Sequence, residues 1–238
     1  MRSDLKDQVD RFADDVTSTL QAVLGEKDVE LQATMLDERF TVSTPEPSGI
    51  TLCVDRKPLL RLAVKFECGW DSQDEFVAVD TAEFHVFTLR DREALFRYEF
   101  VRNMRSPIPC AHLQIHGHRD ALAYAMTRAG KRTTRSKRRA DGAPPRMDEL
   151  HFPLGGARFR PALEDVLQML VEEFGVDAVD GWRKHLAQGR ERWRRIQTRA
   201  VVRDAPDEAV ATLRALGYLV TEPEGEVLDA NIKRLQSI

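Results

Sequence analysis

Residues 111–119 read Ala-His-Leu-Gln-Ile-His-Gly-His-Arg, so three of the six histidines fall within seven residues. On a strand, alternate side chains share a face. That spacing puts His112, Gln114, His116 and His118 on one side and Leu113 and Ile115 on the other. Neutral imidazoles gathered on one face can bind a transition metal or move protons near neutral pH. A metal reading takes His112, His116 and His118 as ligands, with a fourth such as His151 supplied from elsewhere. A proton-transfer reading takes His116, His118 and His151 as general acid and base. The plain alternative is a polar strand face whose side chains satisfy one another by hydrogen bonding.

A second segment, residues 151–161, reads His-Phe-Pro-Leu-Gly-Gly-Ala-Arg-Phe-Arg-Pro. Gly155 and Gly156 free the backbone to turn its N–H groups toward one point, and a helix N-terminus adds a favourable field for an anion. Arg158 and Arg160 suit phosphate or carboxylate oxygens, which a guanidinium can hold with two donors. With Arg119 from the first segment, these four form the expected anion-binding set. The Gly-Lys-Ser/Thr ending of a P-loop is absent, and so is a dinucleotide fingerprint. In the alternative reading the arginines pair with Glu164 or Asp165 and the turn is an ordinary connection.

Two further segments carry charge beside apolar residues. Arg192, Arg195, Arg199 and Arg203 recur at helical spacing beside Trp193, Ile196 and Ala200, a stripe that can track a phosphate backbone or face solvent. In Phe96-Arg97-Tyr98-Glu99-Phe100 the aromatics share one face of a strand, and Arg97 and Glu99 share the other.

The 111–119 segment resembles the strand motif of histidine-triad nucleotide hydrolases, with Gln114 where the middle histidine would stand and Gly117 interrupting the apolar positions. Over residues 95–175 the chain resembles hypothetical proteins of high-GC bacteria that carry similar HLQIHGHR-like and HFPLGGxRFRP-like segments. It also resembles, in its histidine and arginine content, small toxin components of toxin–antitoxin pairs. That resemblance implies no particular activity or cofactor.

The elements that must position these groups are legible from periodicity. Leu5, Val9, Phe12, Val16, Leu20 and Val23 form one helical stripe, which Ser3 opens and Gly25 closes. Residues 31–117 change to period two, with turns at Asp37-Glu38 and Asp55-Pro58. Short links between consecutive strands predict an antiparallel meander of six to eight strands. Helical spacing returns after His118: a short helix over Ala121–Arg128, then helices opened by Pro161 and Pro206 on either side of a longer one from Trp182. The expected fold class is α+β, an N-terminal helix on a meander sheet followed by a helical part. The predicted organisation is 1–128, a basic loop at 129–147, and 148–238 packed on the first part as one unit.

The formal charge of −3 conceals a division into −9 for residues 1–100, +9 for 101–205 and −3 for the remainder. At 42% hydrophobic, and with a mean hydropathy of −0.43, the chain is neither wholly disordered nor membrane-spanning. Three scattered cysteines and a start without a signal-peptide pattern fit a cytoplasmic protein. The expected partner is phosphate-bearing, RNA or a nucleotide, with phosphodiester cleavage by histidine as the reaction if the chain is an enzyme. The alternatives are a non-catalytic module that binds a partner protein and a histidine-based metal protein. The cofactor and the oligomeric state stay open.

Overall fold

The computed structural model describes residues 4–25, 29–36, 39–44, 49–71, 74–105, 107–117, 120, 146–221, 223–225 and 228–237. His118, Arg119, the expected helix at 121–128 and the basic loop up to residue 145 lie outside the described residues.

Helix α1 (Leu5–Leu24) buries Leu5, Val9, Ala13, Val16, Leu20 and Val23, and stops at Gly25, whose φ of 73° closes the last turn through a bond to the Gln21 carbonyl. Phe12 lies at the flank of this stripe, edge-on to Phe66 at 5.0 Å, and Phe66 meets Phe84 at 5.5 Å.

The sheet under α1 is antiparallel throughout. Its strands are β1 (Gln32–Leu36), β2 (Arg39–Ser43), β3 (Ile50–Val54), β4 (Lys57–Trp70), β5 (Val77–Thr88), β6 (Phe96–Val101), β7 (Ala111–Ile115) and the two-residue β8 (Phe152–Pro153). Both β2 and β3 pair with the same edge of β4, β2 along residues 65–68 and β3 along 57–62. They act as one strand interrupted between Ser43 and Ile50, so the meander order is kept. Gly49 re-enters the sheet at φ 83°, where a Cβ would stand 2.4 Å from the Leu62 carbonyl oxygen. The β3–β4 turn is the pair Asp55-Arg56, both at positive φ, tighter than the four-residue loop expected from sequence. Strand β5 runs unbroken from Val77 to Thr88.

Alternation sorts the sheet into two faces. Leu60, Leu62, Val64 and Phe66 of β4, Ala82, Phe84 and Val86 of β5, and Phe100 and Ala111 are buried on the helix side. Register places Lys65 with Glu83, Glu83 with Glu99, His85 with Arg97, Arg97 with Gln114, and Glu99 with His112 on the opposite side.

The C-terminal helices complete the covered face. A single turn α2 (Gly156–Phe159) precedes α3 (Leu163–Phe174), which buries Leu163, Val166, Leu167 and Leu170. Helix α3 begins two residues after Pro161, and the Asp165 carboxylate accepts the Ala162 N–H at 2.9 Å. Helix α4 (Trp182–Asp204) buries Trp182, Leu186, Gly189, Ala200 and Asp204 along one stripe. Helix α5 (Pro206–Ala215) has no buried residue, and α6 (Ile232–Leu235) returns to the body. The link before α4 ties the halves together. Asp177 accepts the N–H groups of Asp55 and Arg56 at 3.0 and 2.7 Å, Asp177 N–H reaches the Cys53 carbonyl, and Val179 N–H reaches that of Val23. No helix among the described residues is long and apolar enough to cross a membrane.

Candidate functional site

On the face of the sheet opposite the helices, called the open face, His112 and His116 meet carboxylates and Arg97. His112, 2% exposed, faces the Pro109 carbonyl through Nδ1 at 2.9 Å and a Glu99 carboxylate oxygen through Nε2 at 3.1 Å, both of which accept. The other Glu99 oxygen lies 3.1 Å from His85 Nε2 and 3.6 Å from an Arg97 guanidinium nitrogen. Burial alone would raise the Glu99 pKa; hydrogen bonds from His112 and His85 and the Arg97 charge outweigh it, and the carboxyl is held far below its usual range.

Hydrogen bonding fixes the orientation of the His116 ring. Arg97 donates to Nε2 at 3.0 and 2.8 Å, and an arginine can only donate, so the ring proton sits on Nδ1 and points to Glu93 at 3.1 Å. Arg146 bridges Glu93 and Asp148, and the His116 and Arg146 contacts lower the Glu93 pKa. Gln114 donates to the Asp148 carbonyl and to His151 Nε2 at 2.8 Å, while His151 Nδ1 faces the Glu149 carbonyl at 3.1 Å. The His112 and His151 rings lie 4.8 Å apart. His112, His116 and His151 thus share one network, and both nitrogens of each ring already have protein partners.

Glu93, His116 and Asp148 bring three ligand atoms within 4.8 Å of one another. Two features oppose a metal there. The Arg146 guanidinium already bridges the two carboxylates, and a metal on His116 Nδ1 would need a proton on Nε2, where Arg97 donates.

The Gly-Gly-Arg segment lies elsewhere. Arg160 sits 3.7 Å over the ring of Phe100, on the helix-covered side, whereas the neighbouring Glu99 belongs to the open face. Histidines and arginines are therefore separated by the sheet and do not form the single cleft expected for His116, His151, Arg158 and Arg160. Arg158 makes a two-point contact with the buried carboxylate of Asp204, at 2.6 and 3.2 Å, and Asp165 is taken by Arg190 at 2.6 Å. Gly155 and Gly156 have φ of 75° and 64° for steric reasons. A Cβ on Gly155 would press on Phe159, and one on Gly156 would stand 2.5 Å from the Ser237 carbonyl oxygen. The helix they open is a single turn.

Arg160 has company that the sequence did not predict. Beyond the ends of β6 and β7 is a cavity of about 530 Å³ whose lining includes Arg102, Arg105, Cys110, Lys233, Arg234 and Ser237. Arg102 donates to the Val79 carbonyl and pairs with Asp80 at 3.3 Å; Arg234 donates to the Arg102 carbonyl at 2.9 Å. Arg105 and Lys233 are exposed and have no ion-pair partner among the described residues. Arg160, behind the cavity, donates to the Ala157 carbonyl and pairs with no described carboxylate. Burial, then the charges of Arg102 and Arg158, push its pKa down to about 9. The pKa of Arg102 is lowered chiefly by burial, opposed by Asp80 and reinforced by Arg234 and Arg158. Six cations thus crowd one end of the sheet, and among the described residues Asp80 and Asp204 are the carboxylates paired with them. The traces in the sequence were small: Arg102 and Arg105 three apart, and Lys233-Arg234 in an otherwise acidic tail.

Helix α4 adjoins this cluster, with Trp193 5.7 Å from the Arg160 guanidinium and Asp204 on Arg158. On its outer side Arg195 pairs with Glu191, and Arg192, Arg199 and Arg203 are exposed without an ion pair among the described residues. No family model matches the chain, nor does any curated protein or solved structure.

Proposed function

We propose that the protein binds a phosphate-bearing ligand, of the nucleotide or RNA class, in the cationic cavity lined by residues of the segments 102–105, 108–110 and 233–237. The observation that carries this reading is Arg160, a guanidinium packed on Phe100 beside Arg102 and Arg158 with no carboxylate of its own. Like charges held together at the edge of a low-dielectric interior repel one another, and a dianion among them relieves that repulsion. Arg102, Arg105, Lys233 and Arg234 supply donors to phosphate oxygens. A cavity of about 530 Å³ falls within the usual span for small-molecule sites, roughly 300 to 1,000 Å³. Cleavage by histidine has less support, because His112, His116 and His151 are internally engaged and none lines the cavity.

Calorimetric titration with pyrophosphate and with nucleoside diphosphates tests the reading. Binding is expected at low salt, with thermal stabilisation equivalent to about 2.7 kcal/mol at a hundredfold excess over Kd. The double variant Arg105→Ala/Lys233→Ala removes two exposed side chains and is expected to weaken binding at least tenfold. Unaltered binding in that variant, or none by the wild type, rejects the cavity.

A second reading, docking of a partner protein, is favoured by α5. The helix buries none of its residues, and Leu213, Leu216, Tyr218 and Leu219 are exposed there and just beyond. Light scattering that shows a monomer at all working concentrations would exclude self-association as the use of that surface.

A further inference from the structure

We propose that the ligand is a single-stranded nucleic acid, anchored by one phosphate in the cationic cavity and running along the outer arginines of α4. This rests on the phosphate reading of the cavity and adds the class and the path of the ligand.

Continuity between the two surfaces is the first argument. Trp193 is neighbour to Arg192 and lies 5.7 Å from the Arg160 guanidinium; Asp204 is neighbour to Arg203 and holds Arg158. The half of α4 from 192 to 204 therefore runs beside the 158–160 segment, and the Asp204 carbonyl accepts the Asn231 N–H at 2.7 Å, next to the 233–237 residues that line the cavity. Arg192, Ile196, Arg199 and Arg203 follow one another at spacings of four, three and four, a single line on the helix. At 1.5 Å per residue this line is about 16 Å long, room for more than one phosphate.

The second argument is composition. Helix α4 carries eight cations (Arg183, Lys184, Arg190, Arg192, Arg194, Arg195, Arg199, Arg203) against Glu191 and Asp204. Asp204 is consumed by Arg158 and Glu191 by Arg195. Arg192, Arg199 and Arg203 are exposed with Ile196, 55% exposed, in the same line; the Glu164 carboxyl acts on Arg192, and Arg199 and Arg203 have no ion pair among the described residues. Cations in excess of nearby carboxylates, with an apolar side chain between, suit a backbone of phosphates that carries bases. A mononucleotide in the cavity would leave these arginines unused.

The third argument is shape. Duplex phosphates lie on a convex cylinder, whereas a flexible strand can lower one phosphate into a recess and lay the next along a helix.

Fluorescence anisotropy with labelled oligouridylates of 4 and 12 nucleotides, a 12-nucleotide oligothymidylate and a 12-base-pair duplex tests this at 50 to 200 mM salt. The 12-mers are expected to bind at least tenfold more tightly than the 4-mer and the duplex. Their log K is expected to fall with log salt at a slope of about −3, as for some four phosphates on a single strand. Equal binding of the RNA and DNA 12-mers assigns the contact to the phosphates; preference for one assigns it to that sugar. The triple variant Arg192→Gln/Arg199→Gln/Arg203→Gln, its fold verified by circular dichroism, is expected to lose at least tenfold on the 12-mers and to keep wild-type affinity for pyrophosphate. Pyrophosphate binding without length dependence overturns the path along α4 and leaves the cavity reading intact. Length-dependent, triple-sensitive binding without pyrophosphate binding overturns the cavity and retains α4. Concentration-dependent self-association that the triple variant abolishes overturns the proposal by giving the face to a second copy of the chain.

Discussion

Glu99 and Phe100 are consecutive in β6 and serve opposite sides of the protein: Glu99 joins His85 and His112 on the open face, and Phe100 carries the Arg160 guanidinium 3.7 Å above its ring on the covered one. One peptide bond separates the histidine network from the cationic cluster. Substitutions in the two groups should act independently, since they share no partner.

Arg160 gives the cluster a signature in pH. Its folded pKa of about 9 lies well below that of a solvated arginine, so the native state binds fewer protons between the two. Stability from this group is lowest at neutral pH and rises as pH climbs through about 9. Chemical denaturation at pH 8, 9 and 10 is expected to show that rise in the wild type and to lose it in Arg160→Met. The same variant should abolish the thermal shift caused by pyrophosphate. An unchanged pH profile in the variant would remove Arg160 as its source.

Glu99 acts in the other direction. Its carboxyl is depressed from 4.5, so its contribution is complete above that value and is lost as pH falls below it. Glu99→Gln leaves His112 facing an amide and is expected to cost about 3 kcal/mol at pH 7, as for a broken buried pair. Its unfolding free energy should also change less than that of the wild type between pH 5 and pH 3.

Metal uptake offers a test of the His116 geometry. Elemental analysis of protein purified without a polyhistidine tag is expected to show no stoichiometric zinc, nickel or iron. Arg97 occupies Nε2 of His116, the imidazole that lies beside Glu93 and Asp148 among the described residues. Stoichiometric metal in the wild type, displaced by His116→Ala, would contradict the hydrogen-bond assignment.

Gly49 tests the interrupted strand. With φ 83° and the Leu62 carbonyl oxygen 2.4 Å from a would-be Cβ, Gly49→Ala is expected to cost about 2 kcal/mol or more, read as a lower denaturant midpoint. Substitution at Gly217, also at positive φ but with open space around it, should cost less.

Much of the fold was legible because burial imposes periodicity. The α1 stripe, the alternating strands and the helix stop at Gly25 follow from local pattern alone. The helix expected to open at Pro161 begins two residues later, at Leu163, where the Asp165 carboxylate accepts the Ala162 N–H. The open-face grouping of His112, Gln114 and His116 also followed from strand alternation. The division between histidines and arginines did not. It depends on which face of the sheet the chain reaches after β8, a matter of connection that no spacing encodes. Arg102 and Arg234, 132 residues apart in sequence, meet through a return of the C-terminus, and only their positive charge was visible beforehand.

The Asp177 contacts have a consequence for chain continuity. Residues 176–179 are held by the β3–β4 turn and the end of α1, and α3 and α4 bury their apolar stripes on the sheet and on α1. Neither half presents a finished core by itself. A single backbone cut within residues 121–145 would therefore yield two fragments that remain associated, and separately expressed 1–120 and 146–238 would have to reassemble to fold.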